Sequence, residues 1–173
     1  MKRTLYAALL GAVPALTLAL VPSAALAGHG GGHGDGHDDS GRHRGHDLIR
    51  MDLTPSLPTD DAINMVNPGG APWQIDRGEV RVRPGGRMDV RIEGLQIPRN
   101  GSADNPIASI DAVLYCDGVQ SADSGPQPMS VPGGDARFRA FLDLPNVCAS
   151  PSVLISPSTA VGAAYIASAV TGN

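Results

Sequence analysis

Beyond residue 46 the chain has no histidine, and beyond residue 2 it has no lysine: the five histidines are His29, His33, His37, His43 and His46, and Lys2 stands alone. A domain built from residue 48 onward therefore lacks the side chain whose pKa sits closest to neutrality, and it has no partner for a Ser-Lys pair. Glutamate is scarce too, with Glu79 and Glu93 the only two. Aromatic residues make up 3% of the chain, and past residue 47 they are Trp73, Tyr115, Phe138, Phe141 and Tyr165. So few rings speak against a stacking platform for bases or sugars. No stretch past residue 47 carries the i, i+3, i+4 pattern of a long amphipathic helix, and the apolar segment VGAAYIASAV near the C-terminus is too short to span a membrane.

The N-terminus is of a different character. Lys2 and Arg3 precede an apolar run from Leu5 to Leu20, then Pro22 and Ala25-Leu26-Ala27, an A-x-A cleavage pattern. The run is short of the ~20 residues a spanning helix needs, and no cysteine follows it to take a lipid. Residues 1–27 are thus expected to be a signal peptide, leaving a secreted, extracellular product with no membrane insertion.

Residues 28–47, GHGGGHGDGHDDSGRHRGHD, are expected to form a disordered Gly/His/Asp-rich leader. Its glycines oppose a helix, so the four-residue spacing of His29, His33 and His37 does not mark one helical face. As a flexible tract it can wrap copper, zinc or nickel with the imidazoles of His29, His33, His37, His43 and His46, with Asp35, Asp38, Asp39 and Asp47 as auxiliary oxygens. Cleavage after Ala27 would also expose Gly28-His29-Gly30, where a free amine, an imidazole and the intervening amide can chelate Cu(II). The competing reading is a solvated spacer with weak, unselective metal affinity and no dedicated cofactor.

All 17 acidic residues lie after Ala27, so the formal charge of −4 becomes −6 once the two bases Lys2 and Arg3 are lost. A chain so negative, with arginine its only remaining base, is expected to bind polyanions poorly, and nucleic acid is not an expected partner. Residues 48–173 amount to one domain with one core. Its two cysteines, Cys116 and Cys148, are an even pair in an oxidising compartment, which predicts a disulfide contributing roughly 3 to 4 kcal/mol through loop closure. A redox pair would instead bring a C-x-x-C motif.

The clearest structural signal is RGEVRVRPGGRMDVRIEGL, residues 77–95. Val80 and Val82 alternate with Glu79, Arg81 and Arg83; Met88, Val90 and Ile92 alternate with Asp89, Arg91 and Glu93. Two half-buried strands follow from this period of two, and Pro84-Gly85-Gly86 suits a three-residue hairpin loop. That loop sets Arg83 opposite Arg87, Arg81 opposite Asp89, Glu79 opposite Arg91 and Arg77 opposite Glu93, with Val82 facing Met88 and Val80 facing Val90. Lengthening the loop by one residue on each side would oppose like charges instead, at a cost of a few tenths to ~1 kcal/mol per pair. Both glutamates thereby acquire a structural role.

The same period recurs in ASIDAVLYC, followed by Asp117-Gly118, a type I′ turn signal leading into VQSAD. In DARFRAFLDL, Ala136, Phe138, Ala140 and Leu142 fall on one side, and Arg137, Arg139, Phe141 and Asp143 on the other. SVLIS and AAYIASA give two further apolar strands, with IRMDL and AINMV as weaker ones. About seven to nine short strands between turn residues predict an all-β fold: an antiparallel β-sandwich, immunoglobulin-like in architecture, with one disulfide between Cys116 and Cys148.

WQIDRGEVRV, DVRIEGLQIPRNG, AVLYCDG, GDARFRAFLDLPNVCASPSVLISP and the late YIAS resemble a group of small secreted proteins of GC-rich Gram-positive, actinobacterial species, over about residues 73–168. The LYC and LPxxC pair carries most of that resemblance, which implies no activity, cofactor or catalytic residue. A weaker similarity in strand pattern is to the CHRD domain, whose histidine-bearing strand is missing here.

No catalytic residue is expected. Asp60-Asp61, Asp104 and Asp123 stand among turn formers and are expected to bond their own following backbone. Asp104 with Asn100 and Asn105 is short of the ligands a calcium site needs. Asn100-Gly101-Ser102 is most simply a loop, and Trp73 a core residue. Two functions follow as expectations: a non-catalytic extracellular β-sandwich serving as a structural or binding module for a cell-surface or extracellular partner, or a metal-handling protein whose ligands lie in the leader.

Overall fold

The alternation of apolar and charged residues becomes two stacked sheets. A computed structural model describes residues 46–171; the expected signal peptide of residues 1–27, residues 28–45 and the last two residues lie outside that range. Its strands are β1 (Ile49–Asp52), β2 (Thr54–Pro55), β3 (Asn67–Pro68), β4 (Arg77–Val82), β5 (Arg87–Glu93), β6 (Ile97–Arg99), β7 (Ser102–Asp104), β8 (Ser109–Cys116), β9 (Val119–Asp123), β10 (Gln127–Pro128), β11 (Ala136–Phe141), β12 (Pro151–Pro157), β13 (Ala164–Tyr165) and β14 (Ala167–Val170). Eight of these have four residues or more, in line with the seven to nine expected; the others are short pieces at bends.

One sheet has the order β1-β4-β5-β11; the other runs β10-β8-β12-β14-β2, with β9 also paired to β8. Every pairing in them is antiparallel, and only the short β3–β13 contact is parallel. The sheets pack face to face as the expected antiparallel sandwich. Val80, Val82, Met88, Val90 and Ile92 from the first sheet meet Ile110, Ala112, Leu114, Val153, Ile155, Ala167 and Ala169 from the second in one buried cluster. Each large aliphatic side chain in it stabilises the fold by about 1.5–3 kcal/mol relative to exposure. Trp73, 6% exposed, belongs to the same cluster.

The β4–β5 hairpin takes the register its charges predict, with Arg77↔Glu93, Glu79↔Arg91, Val80↔Val90, Arg81↔Asp89 and Val82↔Met88. The Arg83 amide donates to the Arg87 carbonyl at 2.9 Å, and Gly86 takes the left-handed conformation that the loop's third position requires. The side chains then choose other partners. Arg91 pairs with Glu93 along its own strand, Glu79 with Arg50 of β1, and Asp89 with Arg83, Arg87 and Arg139. Both hairpin strands are central in their sheet, so each charge has neighbours on two sides and along the strand, which a two-strand picture omits.

Cys116 and Cys148 form the disulfide, with 4.8 Å between Cα atoms. It joins the end of β8 to the segment leading into β12, where Pro151 already lies opposite Cys116. Asp117 and Gly118 both have positive φ, as a type I′ turn demands, and the Asp117 carboxylate accepts from the Ala149 and Ser150 amides. AINMV is not a strand. Ile63 and Val66 bridge each other across a tight turn whose central residues, Asn64 and Met65, are left-handed.

That turn helps cover the outer side of the six-stranded sheet. Val113, Tyr115 and Leu154 point away from the main core and form a second buried cluster with Val66 and Tyr165, against which Ile63 packs. The strands β8 and β12 are consequently buried on both faces, whereas β4 alternates buried and accessible residues.

Candidate functional site

The outer side of the four-stranded sheet has no such cover, and it carries most of the arginine. Counting outward positions strand by strand places Arg50 on β1, Arg77 and Arg81 on β4 with Arg83 just beyond, Arg87 and Arg91 on β5, and Arg137 and Arg139 on β11. Among the described residues only Arg99 lies elsewhere. The carboxylates on this face are Asp52, Glu79, Asp89 and Glu93, with Asp47 at its edge. The remaining described carboxylates occupy turns and other strands, so a chain of net charge −4 presents one face with an excess of positive charge.

Three pairs of arginines are placed side by side. Arg50 lies opposite Arg81, Arg91 opposite Arg137, and Arg83 opposite Arg87 at the hairpin end. Like charges directly across two strands destabilise a sheet by tenths of a kcal/mol to about 1 kcal/mol per pair.

Asp89 offsets part of that repulsion. Its Oδ1 accepts from Arg87 Nη2 at 2.9 Å and Nε at 3.2 Å, and from Arg139 Nε at 3.1 Å. Its Oδ2, buried and without a hydrogen bond, faces Arg83 Nη2 at 3.4 Å. Desolvation, the largest single influence, pushes the Asp89 pKa up. Hydrogen bonds from Arg87 and Arg139 and the charges of Arg87 and Arg83 together outweigh it, holding the carboxyl below its usual range. One negative charge thus serves three guanidiniums.

Elsewhere on the face the pairing is thinner. Arg81 Nε lies 2.8 Å from Asp47 Oδ2 but off the N–H direction, an ion pair without a hydrogen bond. Arg77 and Arg137 have no carboxylate within 4.0 Å among the described residues. Arg81, Arg83, Arg87, Arg91, Arg137 and Arg139 line an open trough of about 580 Å³, and a smaller depression of about 370 Å³ beside Arg50 and Asp52 shares Glu79 with it. Guanidinium stays charged at every physiological pH and offers a planar fork of donors to carboxylate or phosphate oxygens. The arrangement can hold anions.

Of the sequence-derived candidates, Gly28, His29, His33, His37 and His43 lie outside the described residues. His46 is within them, exposed, one residue before Asp47. Asp123 accepts from the following Gly125 amide, as expected of a turn residue; Asp60 instead accepts from the Leu57 amide three residues before it, and Asp104 pairs with Arg99. Asn105 is fully buried, and its side chain is consumed by Ile107 and Ser130 backbone groups. The arginine face itself was hidden by averaging charge over the whole chain. Its signal was present in the outward arginines of each strand, but their convergence depends on β11 pairing with β5, a contact between residues far apart in sequence.

The chain matches no protein-family model, no curated protein and no solved structure.

Proposed function

We propose that this protein is a secreted, non-catalytic β-sandwich module that binds an anionic extracellular or cell-surface partner through the arginine face of its four-stranded sheet. The observation that carries this reading is the set of three like-charged cross-strand pairs on one uncovered face of a net-negative chain. A face that needed only solubility is served as well by alternating signs, without the repulsion. Support for a non-catalytic role comes from the lack of lysine and of histidine beyond His46, and from both cysteines being engaged in the disulfide. The disulfide and the signal-like N-terminus favour export. Scarce rings and the overall negative charge speak against nucleic acid.

The test is binding of the mature chain, beginning at Gly28, to immobilised heparin as a generic polyanion. Binding is expected to weaken steeply with salt. Replacing Arg91 and Arg137 by glutamate should abolish it while the melting temperature holds. Undiminished binding by that variant, or none by the parent chain, overturns the reading.

A second reading is transition-metal binding by the leader, favoured by the confinement of all five histidines to residues 29–46. Copper and zinc calorimetry on the mature chain and on a truncated chain starting at Leu48 decides it. Micromolar or tighter binding that disappears on truncation supports it; equal, weak binding in both refutes it.

A further inference from the structure

Resting on the arginine-face reading, we infer that the occupant is a linear polyol-phosphate polymer, which spans two anion slots that Asp89 separates and keeps in order. The first slot is Arg50 with Arg81, opposed across β1 and β4; the second is Arg91 with Arg137, opposed across β5 and β11. In each, two guanidinium forks start from neighbouring strands about 5 Å apart, close enough to converge on one oxyanion.

Between the slots stands Asp89 with Arg83, Arg87 and Arg139 around it. This carboxylate occupies the place a ligand anion would otherwise take. It holds the three guanidiniums against the sheet and lowers the repulsion of the vacant face. The second slot lacks that help on one side, since Arg137 has no carboxylate within 4.0 Å among the described residues while Arg91 is paired to Glu93. It is the slot most in need of an external anion.

Three features select the class of ligand. The Arg50–Arg81 slot and the Arg91–Arg137 slot lie two strands apart across the sheet and two residues apart along it, about 12 Å in all. A small anion therefore fills one slot, and only an elongated polymer engages both. The trough that Arg81 shares with Arg91 and Arg137 is open to solvent, and the depression beside Arg50 adjoins it through Glu79, so a chain can lie across both without threading. Among the described residues Phe141, 78% exposed beside Arg87, is the one fully exposed ring on the face, and the half-buried Phe138 adds only part of its surface to the trough. Polymers with a ring in every repeat, whether uronate glycans or single-stranded nucleic acid, find almost nothing to stack on. A ring-free phosphodiester chain offers the face what it can hold, which is charge at regular spacing.

The experiment measures binding of the mature protein to poly(glycerol phosphate) fractions of increasing length, to a polyuronate and to single-stranded DNA of matched charge, and to inorganic phosphate. The expected result is affinity for poly(glycerol phosphate) that rises with length, at least about tenfold above the ring-bearing polymers at equal salt. Replacing Arg91 and Arg137 by glutamate should lower it at least about tenfold, and Arg137→Gln alone should weaken it without unfolding the protein. Asp89→Asn should tighten it, with a steeper salt dependence because the face then neutralises more phosphate. Arg99→Glu, a charge reversal off the face, should leave it unchanged. Equal weakening by Arg99→Glu would reduce the effect to net charge and overturn the proposal. Equal competition by inorganic phosphate per charge, or tighter binding of the polyuronate or the DNA, overturns the polyol-phosphate assignment while leaving the arginine face as an anion site. No binding to any polyanion overturns both.

Discussion

The sandwich has two outer sides, and they have been finished in opposite ways. On the six-stranded sheet, Val113, Tyr115 and Leu154 are roofed by the segment containing Ile63 and Val66 and by Tyr165, whose hydroxyl donates to the Asp61 carbonyl at 3.1 Å. On the four-stranded sheet the equivalent positions are arginine and carboxylate, open to water. The first side is made of residues that gain by leaving water. The second is made of residues that gain little from one another, because exposed ion pairs contribute about 0–1 kcal/mol. Stability therefore lives on one side of the molecule, and on the reading proposed above the capacity to bind lives on the other.

The most severe way to break this contrast is to open the roof. Tyr165, 2% exposed, is expected to cost about 3–5 kcal/mol when replaced by alanine, as large aromatic truncations in cores do, with the loss read by urea or thermal denaturation. Replacing both cysteines by serine should cost roughly 3 to 4 kcal/mol, since it frees the loop between residues 116 and 148 in the unfolded chain. Intact mass after alkylation without reductant should be unchanged in the parent protein, confirming that neither thiol is free.

The two sides should also fail at opposite ends of the pH scale. Burial pushes the hydroxyls of Tyr115 and Tyr165 up, aided in Tyr165 by the charges of Asp60 and Asp61. The unfolded chain then loses these protons first, so stability is intact below about pH 10 and declines as pH rises beyond it. Phenolate absorbance should appear together with unfolding rather than before it. Asp89 has the reverse sign. Its depressed carboxyl contributes stability above the unfolded value of about 3.9, and that contribution is lost as pH falls through the folded value. Asp89→Asn should flatten this acid limb. Smallest of all is Arg137→Ala, expected to change stability by no more than about 0.5 kcal/mol, because the side chain is exposed and has no carboxylate within 4.0 Å among the described residues. A larger loss would mean that the arginine face is structural after all.

The hairpin was legible in the sequence because its information is local: a period of two, a Pro-Gly-Gly loop and a set of charges that tolerate one register. Asp117-Gly118 was legible for the same reason, and so was the cysteine pair once export was inferred. What could not be read was anything requiring two distant segments to meet. AINMV has a strand-like composition, yet it folds into a turn because Ile63 and Val66 are more useful as a lid over Tyr115 and Tyr165 than as a ladder. The arginine face needs β1 beside β4 and β11 beside β5, and neither neighbour follows from spacing. Even Pro132-Gly133-Gly134, a repeat of the hairpin tripeptide, is not a hairpin loop here: it carries the chain from β10 in one sheet to β11 in the other.

Those two tripeptides have a joint effect on β5 and β11. Gly86 accepts the Leu142 amide at 2.8 Å, and Gly134 accepts the Leu95 amide at 3.0 Å, one contact at each end of the paired strands. In both, a side chain would collide with the facing carbonyl, since a Cβ on Gly86 would sit 2.1 Å from the Leu142 oxygen and one on Gly134 2.2 Å from the Leu95 oxygen. The strip bearing Arg87, Asp89, Arg91, Arg137 and Arg139 is thus staked down at both ends. It behaves as a ruler with fixed graduations: the fold itself sets the intervals between its charges.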